Sequence, residues 1–242
     1  MTRHCRCAAL LMVTVSLVVS AAALCVYFFH LRRVEVSLPE GTSLSVAEYE
    51  GLLDLMGNDR TELTSVYRSS VHGTIYDDLL DSVGDAEPLV FVIRKDKYVF
   101  GAFSNCGLEL PDDPTGVHHY DCDFDLWWFS LAGHFEQPTK IDIPRLVQHV
   151  IVAGREGSWY GANMYIGGYL VLGDDENSDN LWLGVSGRPA ADIRSCYQYT
   201  YSRDVPAGYM GVRDSDDDAL LGGSKYFHAD EIEVLHVMGN SR

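Results

Sequence analysis

Residues 90–105 read VFVIRKDKYVFGAFSN, two apolar runs, Val90 to Ile93 and Tyr98 to Phe103, around the polar tetrad Arg94-Lys95-Asp96-Lys97. That arrangement predicts a β-hairpin with a short polar turn. Neither run alternates polar with apolar, so neither strand keeps a face for water and both must be covered from two sides. Gly101 lies inside the second run, where glycine weakens a sheet unless something packs close to its backbone.

The surrounding pattern supplies the cover. Ser45-Val46-Ala47-Glu48 is a capping-box sequence, followed by Val46, Tyr49, Leu52, Leu53 and Met56 on one helical face and Gly57 as a stop. Thr74, with Asp77 three residues on, precedes Ile75, Leu79, Leu80 and Val83 at helical spacing, and Gly84 ends that run. Beyond Gly84, short β-rich runs dominate: Leu89–Ile93, Tyr98–Ser104, Trp127–Leu131, Val147–Ala153, Tyr169–Leu172, Leu181–Val185, Cys196–Tyr201 and Ile232–Val237. Helices first and many strands after predict an α+β chain, an antiparallel two-sheet β-sandwich flanked by helices.

The N-terminus is of another kind. Ala8 to Phe29 holds no charged residue and is long enough to cross a bilayer as one helix. Arg3 and Arg6 flank one end, Arg32 and Arg33 the other, and Tyr27, Phe28 and Phe29 sit at the second interface. A cleaved signal peptide ending near Ser20 to Ala23 is the competing reading, but the apolar run continues well past it. The expected organisation is a membrane anchor at 1–33 preceding the sandwich, a linker at 34–44, one domain at 45–238 and a tail at 239–242.

Charge narrows the partners. The chain carries 18 Lys+Arg against 35 Asp+Glu, and four of the bases lie in the first 33 residues, which contain no acid. A domain so acidic is repelled by phosphate backbones and anionic headgroups, so nucleic acid is not expected as a partner, whereas a basic protein surface is. Simple solubility is the alternative reading of the same charge.

Motifs for chemistry are sparse. His118 to Asp125, HHYDCDFD, invites a metal, but adjacent histidines in an extended chain diverge and no second ligand cluster has metal-site spacing. A surface loop entering the strand LWWFSL is expected instead, with no metal or other cofactor. The acidic runs 174–180 and 214–218 lack the glycine and the bidentate glutamate of a calcium loop, which leaves solvated loops. No phosphate-binding or dinucleotide fingerprint occurs, and no nucleophile elbow. Cys106, Cys122 and Cys196 are widely spaced and read as reduced thiols, which together with the lack of an Asn-x-Ser/Thr acceptor leans toward the cytosol.

Four stretches in order carry a family resemblance: VYRSSVHG (66–73), YVFGAFSN (98–105), DLWWFSL (125–131) and HADEIEVLHV (228–237). Together they resemble the TLDc domain along nearly all of residues 45–238, the first stretch being similar to a helix end and the last to a terminal strand. The motif positions are Tyr67, Arg68, Ser69, Gly73, Phe100, Gly101, Trp128, Phe129, Gly167, Gly168 and Glu233, with structural roles. Cys106-Gly107 stands where the family's tryptophan follows the Phe-Gly strand, and HHYDCD replaces its Gly-rich loop.

The resemblance implies a β-sandwich without established catalytic machinery, resistance to oxidative stress, and binding and regulation of the V-ATPase. The resulting expectation is a non-enzymatic, membrane-anchored, single-pass interaction module with its domain in the cytosol and V-ATPase subunits as partners. Two alternatives stand beside it: a peroxide-responsive thiol enzyme using Cys106, Cys122 or Cys196, and a secreted or lumenal binding domain released from a signal peptide.

Overall fold

The computed structural model describes residues 37–57, 61–122, 125–175 and 188–238. The expected span Ala8–Phe29, the run 181–185 and the tail lie outside them. Among the described residues no helix is long and apolar enough to cross a membrane. Leu38–Arg242 forms one compact unit.

Helix α1, Val46–Met56, starts as its sequence predicts. Ser45 Oγ accepts from the Glu48 N–H at 3.3 Å, and the Glu48 carboxylate accepts from the Ser45 N–H at 2.7 Å. Gly57 ends it at φ 67°, a left-handed conformation that glycine adopts without a steric penalty. Strand β1, Glu62–Arg68, and the single helical turn α2, Ser69–His72, follow. The stretch 66–73 is therefore a strand end plus one turn, not the end of a helix. Helix α3, Tyr76–Val83, is capped one residue later than expected, with Asp78 accepting from the Ile75 N–H at 3.3 Å.

The strands are β2 Leu89–Lys95, β3 Tyr98–Ser104, β4 Val117–Asp121, β5 Leu126–Ala132, β6 Thr139–Ile141, β7 His149–Ala153, β8 Met164–Ile166, β9 Leu170–Leu172, β10 Ser195–Gln198, β11 Val212–Arg213, β12 Ala219–Leu220, β13 Tyr226–His228 and β14 Glu231–Met238. Two six-stranded antiparallel sheets result, ordered β1-β14-β2-β3-β5-β6 and β13-β10-β9-β8-β7-β4, with β11-β12 as a small ribbon. Where a strand was expected from Val147, a 3-10 turn occupies Arg145–Val147 and β7 begins after it. The segment expected to be a loop at His118 is instead strand β4, paired to β7.

Burial explains the unbroken hairpin. Leu89, Phe91 and Ile93 of β2 and Tyr98, Phe100 and Ala102 of β3 join Val150, Val152, Met164 and Ile166 of the second sheet in one buried cluster. Val90, Val92 and Val99 alternate to the other face and are 3% exposed or less, on the side where α1 packs against β5. Two layers cover the hairpin, as its sequence requires. Each buried aliphatic side chain contributes roughly 1.5–3 kcal/mol.

Gly101 is needed for close approach. It pairs with Val92 and Phe129, and a Cβ there would collide with the Phe91 carbonyl oxygen and the Phe129 ring. Relief would require backbone movement in the central strand. Gly101→Val is expected to destabilise by at least about 1–3 kcal/mol, read as a lower urea midpoint.

The loop after β5 buries one ionisable side chain. His134 stacks between Tyr98 (ring centroids 4.4 Å) and Tyr209 (5.7 Å). Its Nε2 lies 2.9 Å from the Leu221 carbonyl, which can only accept, so Nε2 carries the proton and Nδ1 accepts from Ser130 Oγ at 2.8 Å. Burial, with a smaller push from Lys97, lowers its pKa to about 4, against the opposing Leu221 contact. The unfolded chain, with a histidine near 6.5, then binds more protons between pH 6.5 and 4. This contribution to stability is complete above pH 6.5 and falls by roughly 3 kcal/mol as the pH drops to 4. Urea titrations from pH 7 to 4 should show the decline, and His134→Gln should flatten that part of it.

Candidate functional site

The motif residues from the two ends of the domain meet around two glutamates on β14. Glu231 accepts from Arg68 Nη2 at 2.8 Å, from Ser69 Oγ at 2.7 Å and from the Ser70 N–H at 2.9 Å, with Ser70 Oγ as a further donor. Burial alone would raise its pKa, but the Ser70, Ser69 and Arg68 bonds together lower it. Glu233, fully buried, accepts from the Ser43 N–H (2.8 Å), Ser43 Oγ (2.5 Å) and Ser65 Oγ (2.7 Å). Ser69 Oγ in turn accepts from the Ile232 N–H at 3.0 Å, and Arg68 Nη1 reaches the Gly41 carbonyl at 2.7 Å. The donors around Glu231 stabilise its ionised form, and both carboxyl groups are fully occupied by hydrogen bonds, so the cluster is built to fix geometry rather than to move protons.

The other motif positions are packing positions. Tyr67 is buried and its hydroxyl donates to the Gly73 carbonyl at 2.8 Å. Phe100, Trp128 and Phe129 are at most 1% exposed. Trp128 Nε1 donates to the Ile166 carbonyl at 3.2 Å, beside Gly167 and Gly168, whose φ values of 66° and 80° make the tight β8–β9 turn. A Cβ on Gly167 would strike Ile143 and the Trp128 indole.

An open cleft of about 480 Å³ lies beside α3, lined by Leu80, Asp81, Gly84, Asp85, Leu108, Glu109, Leu110 and Arg155. Arg155 is held there by Asp77 at 2.8 Å and Asp81 at 2.5 Å. The rim therefore presents acids, with its one arginine already paired, and suits a cationic group on a partner.

The cysteines correct the sequence reading. Cys106 and Cys122 form a disulfide, with Cα atoms 5.5 Å apart. Cys106 leaves β3 and Cys122 precedes β5, neighbouring strands in which Ser104 pairs with Leu126. The chain between them departs to build β4 in the opposite sheet, so the bridge closes the neck of that excursion. Cys196 is free and buried. Its burial, with Asp174 and Asp192 nearby, pushes the thiol pKa up, opposite to what a reactive thiolate requires.

The HHYDCDFD stretch also changes. His118 and His119 diverge, as alternation demands: His118 lies beside Tyr120 and 3.6 Å from Glu109, while His119 turns to the other face. There His119 meets Asp121, two residues on, and His149 of β7, their ligand-capable atoms all within 4.8 Å of one another. Burial first, then the His119 ring, lowers the His149 pKa against Asp121 and the Leu146 backbone. Spacing along the chain could not reveal this group, because His149 arrives through strand pairing. The run 214–218 is a turn with Ser215, Asp216 and Asp217 exposed, as expected, and Asp214 Oδ1 orders it by accepting from the Asp216 and Asp218 N–H groups, both at 3.0 Å, while Asp218 is buried.

The Phe-Gly strand, the Trp-Phe strand and the Tyr67-Arg68-Ser69 corner are thus joined in one sheet, and this is the region that a family comparison identifies. Residues 44–140 match the family model of the TLDc domain. This stretch is similar to a TLDc domain. The match covers α1 through the start of β6, that is, the first sheet without β14, together with β4 of the second sheet. No curated protein matches the chain.

Reducing the Cys106–Cys122 bridge is expected to lower stability by about 3 kcal/mol, the loop-closure value for a ring of this size. Urea denaturation with and without dithiothreitol measures it. Cys196→Ser should leave the difference unchanged.

Proposed function

We propose that the chain is a non-enzymatic TLDc interaction module, tethered to a membrane by residues 1–33, that binds V-ATPase subunits and supports resistance to oxidative stress. The observation that carries this reading is the TLDc match over residues 44–140. Two features support it: the strongly acidic domain and the acidic rim of the Leu80–Arg155 cleft, both suited to a basic protein surface. A tether makes the search for a membrane-embedded partner local and raises the effective concentration without adding a contact. In this arrangement the domain faces the cytosol.

A second reading is favoured by the Cys106–Cys122 disulfide, because such bridges persist in oxidising compartments. It places the same module on the lumenal or extracellular side, tethered or released from a cleaved signal peptide, with a partner there.

Affinity capture of the tagged full-length chain from solubilised membranes, with protease protection on intact membranes, tests both. Co-purified V-ATPase subunits and a protease-accessible domain support the first reading. A protected domain without V-ATPase overturns the first and supports the second. Asp81→Lys together with Asp85→Lys is expected to weaken capture if the cleft rim is the docking face.

A further inference from the structure

The outer face of the second sheet carries a group that interaction chemistry leaves unused. β4 is the edge strand of that sheet, and its residues alternate, so His119 and Asp121 share one face two positions apart. The antiparallel register sets Asp121 opposite His149 and His119 opposite Ile151. Two imidazoles and one carboxylate therefore form a triangle on three adjacent positions of two paired strands. Strand pairing fixes the backbone under all three, so the side chains need only rotate to converge.

We propose that His119, Asp121 and His149 form a binding site for a first-row divalent transition cation, with zinc the best match. The His119 and His149 rings already lie with centroids 4.3 Å apart, and the donor atoms all fall within 4.8 Å of one another. Ligands about 2.0–2.1 Å from a tetrahedral zinc stand a little over 3 Å apart. Small side-chain rotations supply that closure. Two nitrogens and one oxygen are the donor set of open zinc sites, and imidazole disfavours magnesium and calcium, which prefer all-oxygen shells. Among the described residues no lysine or arginine pairs with Asp121, so its charge remains for a cation. Three protein ligands leave the remaining coordination to water or to a donor from a docking partner. The site stands apart from the Leu80–Arg155 cleft and does not depend on the proposed docking there.

Zinc titration of the metal-stripped, full-length chain in detergent, followed by isothermal calorimetry, tests this. A background with Cys5→Ser, Cys7→Ser and Cys25→Ser removes the thiols of the N-terminal segment as competing ligands. One zinc per chain is expected, with excess Mg²⁺ or Ca²⁺ failing to displace it. His119→Ala or His149→Ala should each weaken binding by more than the roughly 10–100-fold cost of losing an outer-shell partner. Asp121→Asn should weaken it less, since an amide oxygen keeps a donor but no charge. Zinc should also raise the melting temperature of the parent and not of the histidine variants. Unchanged zinc affinity in either histidine variant, or no zinc binding by the folded parent, overturns the proposal. Should an alanine variant fail to fold, His119→Phe and His149→Phe, which keep a ring but offer no donor atom, give the same readout.

Discussion

The pairing of β14 between β1 and β2 is the interaction on which the first sheet depends. The strand lies inside the sheet, and its two glutamates reach donors from Ser43, Ser65, Arg68, Ser69 and Ser70. Each carboxylate would be costly to bury alone. With its full set of donors it becomes a directional lock that fixes the register of β14 and anchors the segment leading into α1. A register slip of one residue would move both charges into the sandwich core, so the glutamates specify the pairing as much as they strengthen it.

The second sheet is attached differently. Between β3 and β5, which are neighbours, the chain departs through β4 to the far sheet and returns, and the Cys106–Cys122 bridge ties the base of that path. Tyr120 reinforces it, donating to the Gly107 carbonyl at 2.9 Å and accepting from the Glu109 N–H at 3.1 Å. The same excursion lines one side of the acidic cleft and carries His119 and Asp121 to the outer face. Two candidate binding features thus share a single structural support.

The central hairpin, the α1 capping box and the antiparallel sandwich were legible in the sequence because each follows from local pattern: doubly covered apolar runs, a Ser-x-x-Glu start, short strands between turn residues. β1 was not. An irregularity in pairing between Ser65 and Tyr67 breaks its alternation, so Ser65 turns to Glu233 while Tyr67 enters the core. A period-two search reads such a stretch as noise. The disulfide and the His119–Asp121–His149 group were hidden for another reason. Both are produced by which strands become neighbours, and that is a property of topology that chain spacing does not carry. The two glutamates in EIEVLHV left a visible sign, charges in an otherwise apolar strand, and such charges require buried donors.

The central place of β14 sets an order of events during synthesis. Arg68 and its partner Glu231 are separated by 163 positions in the chain. At translation rates of roughly 5–20 residues per second, β1 waits on the order of ten seconds for the strand that completes it. Throughout that interval the facing edges of β1 and β2 offer unpaired backbone groups to any passing strand. The nascent domain therefore remains open long after its N-terminal segment has left the ribosome. Its first sheet stays divided, with β1 on one side of the gap and β2 on the other, until the last strand arrives.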